Sequence, residues 1–261
     1  MADNRPIGLF DSGIGGLSVL KEIKRLLPGE SFVFLADQAN IPYGAKTQRQ
    51  LNELSERITR FLLTHDIKLL VVACNTATCY AIDHLRSTFI IPIVGVVPAI
   101  KPAANLTKEG KIAIMATPAT AKSAYLKKLI KEFAPALNVF RIGCEGLEES
   151  VEYLKLKEIY RLLDLYLNKV KKTGSDVIVL GCTHYPFLKQ EIKKRINGSN
   201  IRVIDSGRAI ATRVKSILED STSFAKGNVQ ELYYTTADPR QFSKVASTLL
   251  KYKVIARKAL I

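Results

Sequence analysis

Two cysteines stand where an apolar run of the sequence gives way to small polar residues. Cys74 ends the stretch VVAC and precedes Asn75 and Thr76, while Cys182 ends VIVLGC and precedes a threonine and His184. A helix N-terminus or a nearby protonated histidine lowers the pKa of a thiol, which can then act as a nucleophile or carry a proton. One cysteine with one histidine would indicate covalent catalysis. Two cysteines in equivalent places predict two acid/base groups, one for each face of a stereocentre that is inverted.

Two further motifs also follow predicted strands. FDSGIGG places Asp11 and Ser12 behind a strand and its glycines before a helix, so that backbone N–H groups can approach a small charged ligand. A simple helix cap is the alternative role for Asp11. ADQANIPYG can offer the hydroxyl of Tyr43 and the backbone N–H of Gly44, with an ordinary turn as the alternative.

Short apolar runs alternate with longer amphipathic segments along the chain. This alternation predicts an α/β fold with mainly parallel central sheets, in which ligands bind outside the carboxyl ends of the strands. Both Cys74 and Cys182 lie at such ends. The predicted strands cover residues 7–10, 32–36, 69–73, 93–96, 112–115, 139–142, 177–180 and 202–204. The predicted helices cover residues 17–27, 48–65, 76–86, 119–133, 148–171, 185–196 and 208–218, and ELYYTT from Glu231 precedes another helical pattern.

The two halves of the sequence resemble one another in order. IGLFDSGIGG from Ile7 corresponds to IAIMATPAT from Ile112, and VVACNTA from Val71 corresponds to VIVLGCTHY from Val177. We therefore expect two pseudo-symmetric α/β domains with an active site in the cleft between them. Coincidence among generic strands is the alternative. The expected first domain comprises residues 1–97 completed by 209–261, and the second comprises residues 98–208.

Composition narrows the class of protein. The 261 residues are 47% hydrophobic, which is ample for a core, and no apolar run reaches the length of a membrane span. The first ten residues lack the apolar stretch of a signal peptide, so we expect a cytoplasmic protein with free thiols. The four cysteines lack zinc-site spacing, and we expect no metal. Cys79 and Cys144 are interpreted as packing residues.

A formal net charge of +15 is compatible with a protein that binds nucleic acid. The basic residues are dispersed along helix faces, however, which is typical of a solvated surface, and a positive field would also attract a small dianionic substrate. The sequence therefore does not favour nucleic acid as a partner. It leaves the oligomeric state open, a homodimer included.

Four motifs, GLFDSGIGGLSVL, PYG, ACNTAT and GCTHYPFL, follow one another over residues 7–208. In this order they resemble bacterial glutamate racemases. The resemblance implies a cofactor-independent isomerase that interconverts L- and D-glutamate and supplies the D-isomer for peptidoglycan synthesis, and hence for cell wall biogenesis and cell shape. A racemase of the same superfamily acting on aspartate or hydantoins is one alternative. A basic nucleic-acid-binding protein is an alternative of another class.

The resemblance also implies roles for individual residues. Cys74 would take the α-proton from D-glutamate and Cys182 from L-glutamate, with Asp11 beside the first thiol and His184 beside the second. A family glutamate matches Glu152 best, although GCEGLEESVEY lacks the usual prolines and Glu149 leaves the register open. The substrate's α-carboxylate and amino group would contact Asn75, Thr76, Thr120 and Thr183, its side-chain carboxylate would contact Ser12, Tyr43 and Gly44, and Asp11 and His184 would also border the substrate.

Overall fold

The computed structural model describes residues 3–221 and 224–261. Within it the chain divides into two compact units, one formed by Met1–Val96 with Gly207–Ile261 and the other by Val97–Ser206. Residues 1, 2, 222 and 223, which were expected to belong to the first domain, lie outside the described residues. No helix in the described part of the chain is both long and apolar enough to cross a membrane.

The strands are numbered in chain order. They are β1 (Ile7–Asp11), β2 (Phe32–Ala36), β3 (Leu69–Val72), β4 (Ile93–Gly95), β5 (Lys111–Ala116), β6 (Asn138–Gly143), β7 (Val177–Leu180), β8 (Arg202–Asp205), β9 (Glu231–Thr235) and β10 (Ala256–Lys258). Strands β1, β2, β3 and β7 are buried along their whole length, as expected for parallel strands covered on both faces.

The helices are amphipathic and cover these sheets. They are α1 (Leu17–Leu26), α2 (Gln48–Leu63), α3 (Asn75–Thr88), α4 (Ile100–Leu106), α5 (Pro118–Lys122), α6 (Ala124–Phe133), α7 (Leu147–Glu152), α8 (Leu156–Thr173), α9 (Lys189–Arg195), α10 (Gly207–Asp220) and α11 (Pro239–Leu250). Local signals start several of them; α2, for example, begins with a capping box between Thr47 and Gln50.

The same arrangement of four strands occurs in both units. The first unit has a parallel sheet ordered β10-β9-β2-β1-β3-β4, and the second has one ordered β6-β5-β7-β8. The segment β2-β1-β3-β4 thus has the strand order of β6-β5-β7-β8. The prediction of an α/β fold with two similar, mainly parallel sheets is confirmed. Cys74 follows β3 and Cys182 follows β7, so the two cysteines occupy equivalent places.

The C-terminal segment extends the first sheet. Strand β9 pairs in parallel with β2, and β10 pairs with β9. Helix α11 packs on this addition, and the ring of its Phe242 stacks on that of Phe34 in the neighbouring strand β2, with centroids 6.2 Å apart. The end of the chain therefore becomes part of the sheet that carries Cys74.

Three predicted helices are wrong in detail. The helix predicted over 119–133 breaks at Ser123, whose extended backbone (ψ 144°) and side chain, accepting from the N–H of Leu126, start α6 as an N-cap. The helix predicted over 148–171 breaks at Leu154, which has a φ of 50°. The helix predicted over 185–196 begins as a 3₁₀ turn, Tyr185–Leu188.

Two elements were not predicted at all. Helix α4 was missed because Pro102 marks a break, yet this proline lies in the first turn, where a helix needs no N–H group. Strand β10 was missed because it has three residues and only one paired edge.

Gly16, which precedes α1, provides a test of the packing behind Asp11. A Cβ there would lie 2.7 Å from the Cβ of Asp11 and 3.1 Å from that of Ala73, neither of which can swing away. We expect Gly16→Ala to lower the free energy of unfolding by about 1–3 kcal/mol in urea titrations. Gly29→Ala, with no atom within 4 Å of the added Cβ, should stay within about 0.5 kcal/mol. Equal stability of the two variants would contradict this packing.

Candidate active site

The Cys74 thiol lies at the junction of β3 and α3. The chain leaves the sheet after Ala73, whose N–H still bonds to the carbonyl of Phe10 at 2.8 Å. Cys74 is then the N-cap of α3, and its Sγ accepts from the N–H of Ala77 at 3.5 Å. The residue is 4% exposed. The positive end of the helix dipole therefore faces a buried sulfur, which favours negative charge there.

Ser12 lies between the carboxylate of Asp11 and the thiol of Cys74. Its hydroxyl donates to Oδ1 of Asp11 at 3.1 Å and lies 3.7 Å from Sγ of Cys74. All three residues are buried. A hydroxyl that donates to the carboxylate can accept from the thiol, so a hydrogen-bonded chain leads from the sulfur to Asp11.

Asp11 has a different position from the simple helix cap considered above. Its Oδ1 also accepts from the N–H of Gly13 at 2.7 Å, inside the glycine-rich turn. The N-cap of α1 is Gly16. Asp11 therefore holds the turn that brings Ser12 to Cys74. It belongs to the buried hydrogen-bonded group of Asp11, Ser12 and Cys74 and is not the N-cap of α1.

Asn75 and Thr76 form the first turn of α3 and are both buried. The Asn75 side-chain amide donates to the carbonyl of Val96 at 3.3 Å, just beyond the neighbouring strand β4. Asn75 and Thr76, both predicted to bind substrate, thus lie next to Cys74 at the carboxyl edge of the sheet.

A buried carboxylate organises the loop after β2. Asp37 accepts from the hydroxyl of Tyr43 at 2.7 Å, from Asn40 Nδ2 at 2.9 Å and from Thr236 Oγ1 at 2.8 Å. Burial, reinforced by the charge of Asp37, raises the pKa of Tyr43 well above its usual range. Gly44, which is exposed, follows Tyr43 in the same 3₁₀ turn, Tyr43–Ala45. The sequence singled out Tyr43 and Gly44 but not Thr236, which joins this loop only after the C-terminal segment folds back.

In the second unit, Cys182 follows β7 through Gly181, whose N–H donates to the carbonyl of Met115 at 2.7 Å. The thiol is 4% exposed and lies 3.7 Å from Nδ1 of His184. A long helix was expected to begin behind it, but a 3₁₀ turn containing Pro186 follows instead. The environment of Cys182 therefore differs from that of Cys74, since a histidine stands in place of an α-helix N-terminus.

Glu152 lies on the far side of His184. Its Oε2 is 2.7 Å from Nε2 of His184, and both side chains are 1% exposed. Glu149, the other candidate for the assisting glutamate, is exposed and pairs with Lys155 at 2.9 Å. The structure thus places Glu152, not Glu149, next to the histidine that touches Cys182.

Electrostatics connect the three groups. Burial opposes the charged imidazolium, but hydrogen bonds to Cys182 and Glu152 raise the pKa of His184 well above its ordinary value. Burial is also the main reason why the pKa of the Cys182 thiol is raised, and its hydrogen bond to His184 only partly offsets this. A protonated His184 between Cys182 and Glu152 stabilises a thiolate of Cys182 once it forms.

Threonines occupy the same edge of the second sheet. Thr117, directly after β5, donates its hydroxyl to Oγ1 of Thr120 at 3.0 Å and accepts from the Thr120 backbone N–H at 3.2 Å. Thr120 and Thr183 are both buried, and Thr183 follows Cys182 directly. Because β5 and β7 are adjacent, these side chains lie at neighbouring strand ends. The sequence analysis did not single out Thr117, whose place as N-cap of α5 was the available signal.

The remaining cysteines have packing environments. Cys144 is buried at the end of β6, its thiol donates to the carbonyl of Ile142 at 3.5 Å, and burial raises its pKa far above the ordinary value. Cys79 is half-buried in α3. All four cysteines lie in the described residues and are free. Within residues 3–221 and 224–261, no three His, Cys, Asp or Glu side chains are grouped as metal ligands would be.

The amino-acid sequence is similar to those of known proteins along nearly its whole length. A family model described as Asp/Glu/Hydantoin racemase matches residues 7–214. The chain is 41% identical over 252 residues to a glutamate racemase of Herpetosiphon aurantiacus, covering 94% of this chain and 98% of the relative. It is 39% identical to a glutamate racemase of Pseudomonas aeruginosa, over 95% of this chain and 94% of the relative.

Solved structures show similar backbones. The glutamate racemase isoform RacE1 of Bacillus anthracis superposes with a TM-score of 0.91 at 31% identity, covering 99% of this chain and 98% of that one. The Escherichia coli glutamate racemase, solved with L-glutamate and the activator UDP-MurNAc-ala, gives a TM-score of 0.85 at 36% identity, covering 98% of each chain.

The buried pair of His184 and Glu152 can be tested directly. Replacing the carboxylate by an amide in Glu152→Gln removes negative charge beside the imidazolium, so the pKa of His184 should fall, as measured by NMR titration of the ring. Glu149→Gln is the matched control and should leave that pKa unchanged.

The same pair gives a pH dependence of stability. The pKa of His184 is higher in the folded protein than in the unfolded chain, where it is about 6.5. Protonation of His184 therefore stabilises the folded state fully below pH 6.5, and this stabilisation is lost as the pH rises through the folded pKa. The stability difference between wild type and Glu152→Gln should therefore shrink as the pH rises. An unshifted His184 titration in Glu152→Gln would contradict the coupling.

Proposed function

The chain belongs to the Asp/Glu/Hydantoin racemase family, with relatives named glutamate racemase along nearly its whole length, and we propose that the thiols of Cys74 and Cys182 move the proton in its reaction. The chain catalyses the interconversion of L- and D-glutamate. One observation supports the proposal: the sheets of both units contain the same arrangement of four strands, with a buried cysteine at the same place in it.

Inversion at an α-carbon needs proton transfer on both faces. One group must remove the α-proton, and a second group must deliver a proton to the opposite face of the planar carbanion that results. A thiolate and a neutral thiol can play these two parts and exchange them after each turnover. In the direction from L- to D-glutamate, the Cys182 thiolate takes the proton and the Cys74 thiol donates one, and the reverse direction swaps the roles.

Each thiol needs a partner that lets a buried sulfur gain and lose a proton. For Cys74 we assign this part to Asp11, acting through the Ser12 hydroxyl, together with the N-terminus of α3. For Cys182 we assign it to His184, with Glu152 holding the imidazole and stabilising its charge. Glu152 is a positioning residue, because it acts on the thiol through His184.

Neutral donors suit the two carboxylates of the substrate. Asn75, Thr76, Thr120 and Thr183 are buried hydrogen-bonding residues near the cysteines, and we assign them to the α-carboxylate and amino group. Ser12 and the Tyr43–Gly44 turn are assigned to the side-chain carboxylate. Because the Tyr43 hydroxyl donates to Asp37, the turn would offer backbone N–H groups, held in place by the Asp37 network.

The cellular setting forms part of the proposal. The product D-glutamate is a building block of peptidoglycan, which links the reaction to cell wall biogenesis. A mechanism that depends on free thiols suits a reducing compartment, and the four cysteines are free, so we assign the protein to the cytoplasm. We further propose that the two compact units are the two structural domains of the enzyme.

Hydrogen exchange in D₂O tests the proposed division of labour between the two thiols. Cys74→Ala and Cys182→Ala should each lower racemisation by about 10²–10⁴-fold or more, followed by circular dichroism, because one acid/base group is lost. The thiol that remains should still exchange the α-proton without inversion. Cys182→Ala should thus introduce deuterium into D-glutamate only, and Cys74→Ala into L-glutamate only, as read by mass spectrometry of the separated enantiomers.

Two controls accompany this experiment. Cys79→Ala should retain racemisation, since Cys79 lies in the body of α3, and aspartate should be a poor substrate for the wild type. Racemisation at the wild-type rate in either Cys74→Ala or Cys182→Ala would refute the two-thiol mechanism.

A further inference from the structure

The C-terminal segment reaches the carboxyl edge of the first sheet with a residue outside the four motifs that resemble glutamate racemases. This residue, Thr236, directly follows β9, and its backbone N–H donates to the carbonyl of Ala36 at 3.0 Å. Ala36 is the last residue of β2, which pairs with β9. Thr236 therefore lies beside the loop that leaves β2 and leads to the Tyr43–Gly44 turn.

The Thr236 hydroxyl both donates to this loop and accepts from it. It donates to Oδ1 of Asp37 at 2.8 Å and accepts from the backbone N–H of Ala39 at 3.0 Å. Thr236 is 8% exposed and Asp37 is fully buried, so water competes little for these two bonds. Hydrogen bonds to a buried charged group are among the strongest that a side chain makes, because that group is costly to leave unsatisfied.

Asp37 passes this restraint on to the turn and to the strand that carries Asp11. Its Oδ2 accepts from the Tyr43 hydroxyl at 2.7 Å, and its backbone N–H donates to the carbonyl of Asp11 at 2.9 Å. Burial is the main reason why the pKa of Tyr43 is raised, and the nearby thiol of Cys74 adds to this effect. The restraint from Thr236 thus extends to the surroundings of Cys74.

A lysine of the last strand holds Thr236 in turn. The ammonium of Lys258, on β10, donates to the carbonyl of Thr236 at 2.5 Å and to that of Ala237 at 2.9 Å. Hydrogen bonds from a charged donor are strong and directional. Because both accepting carbonyls come directly after β9, Lys258 fixes the backbone from which the Thr236 hydroxyl points to Asp37.

We infer that Thr236 is a positioning residue for glutamate, which acts through Asp37 to hold the Tyr43–Gly44 turn in the conformation that receives the side-chain carboxylate, and that Lys258 supports it. The inference rests on the assignment of this turn under the proposed function. The side-chain carboxylate does not react, so its contacts are the same before and during proton transfer. Loss of such contacts raises KM and leaves kcat nearly unchanged.

Racemisation kinetics followed by circular dichroism separate binding from chemistry. Thr236→Val keeps the shape of the side chain but removes both hydrogen bonds of the hydroxyl. We expect the KM for each enantiomer of glutamate to rise about tenfold, while kcat changes less than about threefold. Thr236→Ser should restore the KM, because it returns the hydroxyl. Lys258→Met should raise the KM in the same direction.

Thr59→Val is the matched control. Thr59 is fully buried in α2 of the same unit, and its hydroxyl donates to the carbonyl of Ser55 at 2.7 Å. Thr59→Val thus loses a buried hydroxyl bond that has no part in the loop after β2. It should keep the wild-type KM for glutamate, which distinguishes positioning of the substrate from a general loss of stability.

Two further measurements do not depend on turnover. Amide hydrogen exchange in residues 37–45, measured by mass spectrometry, should be faster in Thr236→Val than in Thr236→Ser or the wild type, because the loop has lost an anchor. Calorimetry with D-glutamate on Cys74→Ala should show about tenfold weaker binding when Thr236→Val is added.

Several results would overturn the inference. Unchanged exchange in residues 37–45 would show that Thr236 does not hold the loop, and faster exchange with unchanged KM and affinity would show that the loop does not hold the substrate. An equal rise of KM in Thr59→Val would contradict a specific role, and a wild-type KM in Lys258→Met would remove the support from β10. Failure of the two-thiol mechanism is recognised separately, by racemisation that persists in Cys74→Ala.

Discussion

A thiol that moves a proton at an α-carbon must be shielded from water and yet be able to carry negative charge, and burial by itself opposes that charge. Cys74 and Cys182 are each 4% exposed, so each thiol needs hydrogen-bonding partners in its own unit. The glycine-rich turn after β1, the start of α3 and the buried pair of His184 and Glu152 are all arranged around this requirement. The strands supply the rest, because buried parallel strands leave their carboxyl ends as the place where polar groups can gather.

The two units meet the same requirement with different chemistry. Cys74 has Ser12, Asp11 and a 14-residue helix behind it, whereas Cys182 has an imidazole, a carboxylate and a 3₁₀ turn. The two enantiomers of the substrate have equal free energy, so the equilibrium constant is one. The value of kcat/KM must therefore be the same in both directions, however much the surroundings of the two thiols differ. The asymmetry can therefore appear in kcat and KM separately, through the way each enantiomer is held, but not in their ratio.

Supporting contacts extend well beyond the thiols. Asp37 ties the loop carrying Tyr43 to Thr236, so the C-terminal strand β9 helps to hold a segment assigned to substrate binding. In the second unit, α5 has Thr120 on its buried side, bonded to its N-cap residue Thr117.

The sequence by itself determined the class of fold, the repeat of the motifs at β1 and β3 by those at β5 and β7, and the placement of Cys74 and Cys182 after strands, because apolar periodicity and strand-end motifs are local properties. It predicted continuous helices across Ser123 and Leu154, where the structure has breaks, because the residues on both sides of each break share one amphipathic pattern. Only the tertiary structure decided that Glu152 rather than Glu149 reaches His184, that Ser12 stands between Asp11 and Cys74, and that Thr236 closes the Asp37 network. These outcomes depend on which side chains are buried together. The contacts join residues that are far apart in the sequence, so local sequence patterns do not predict them.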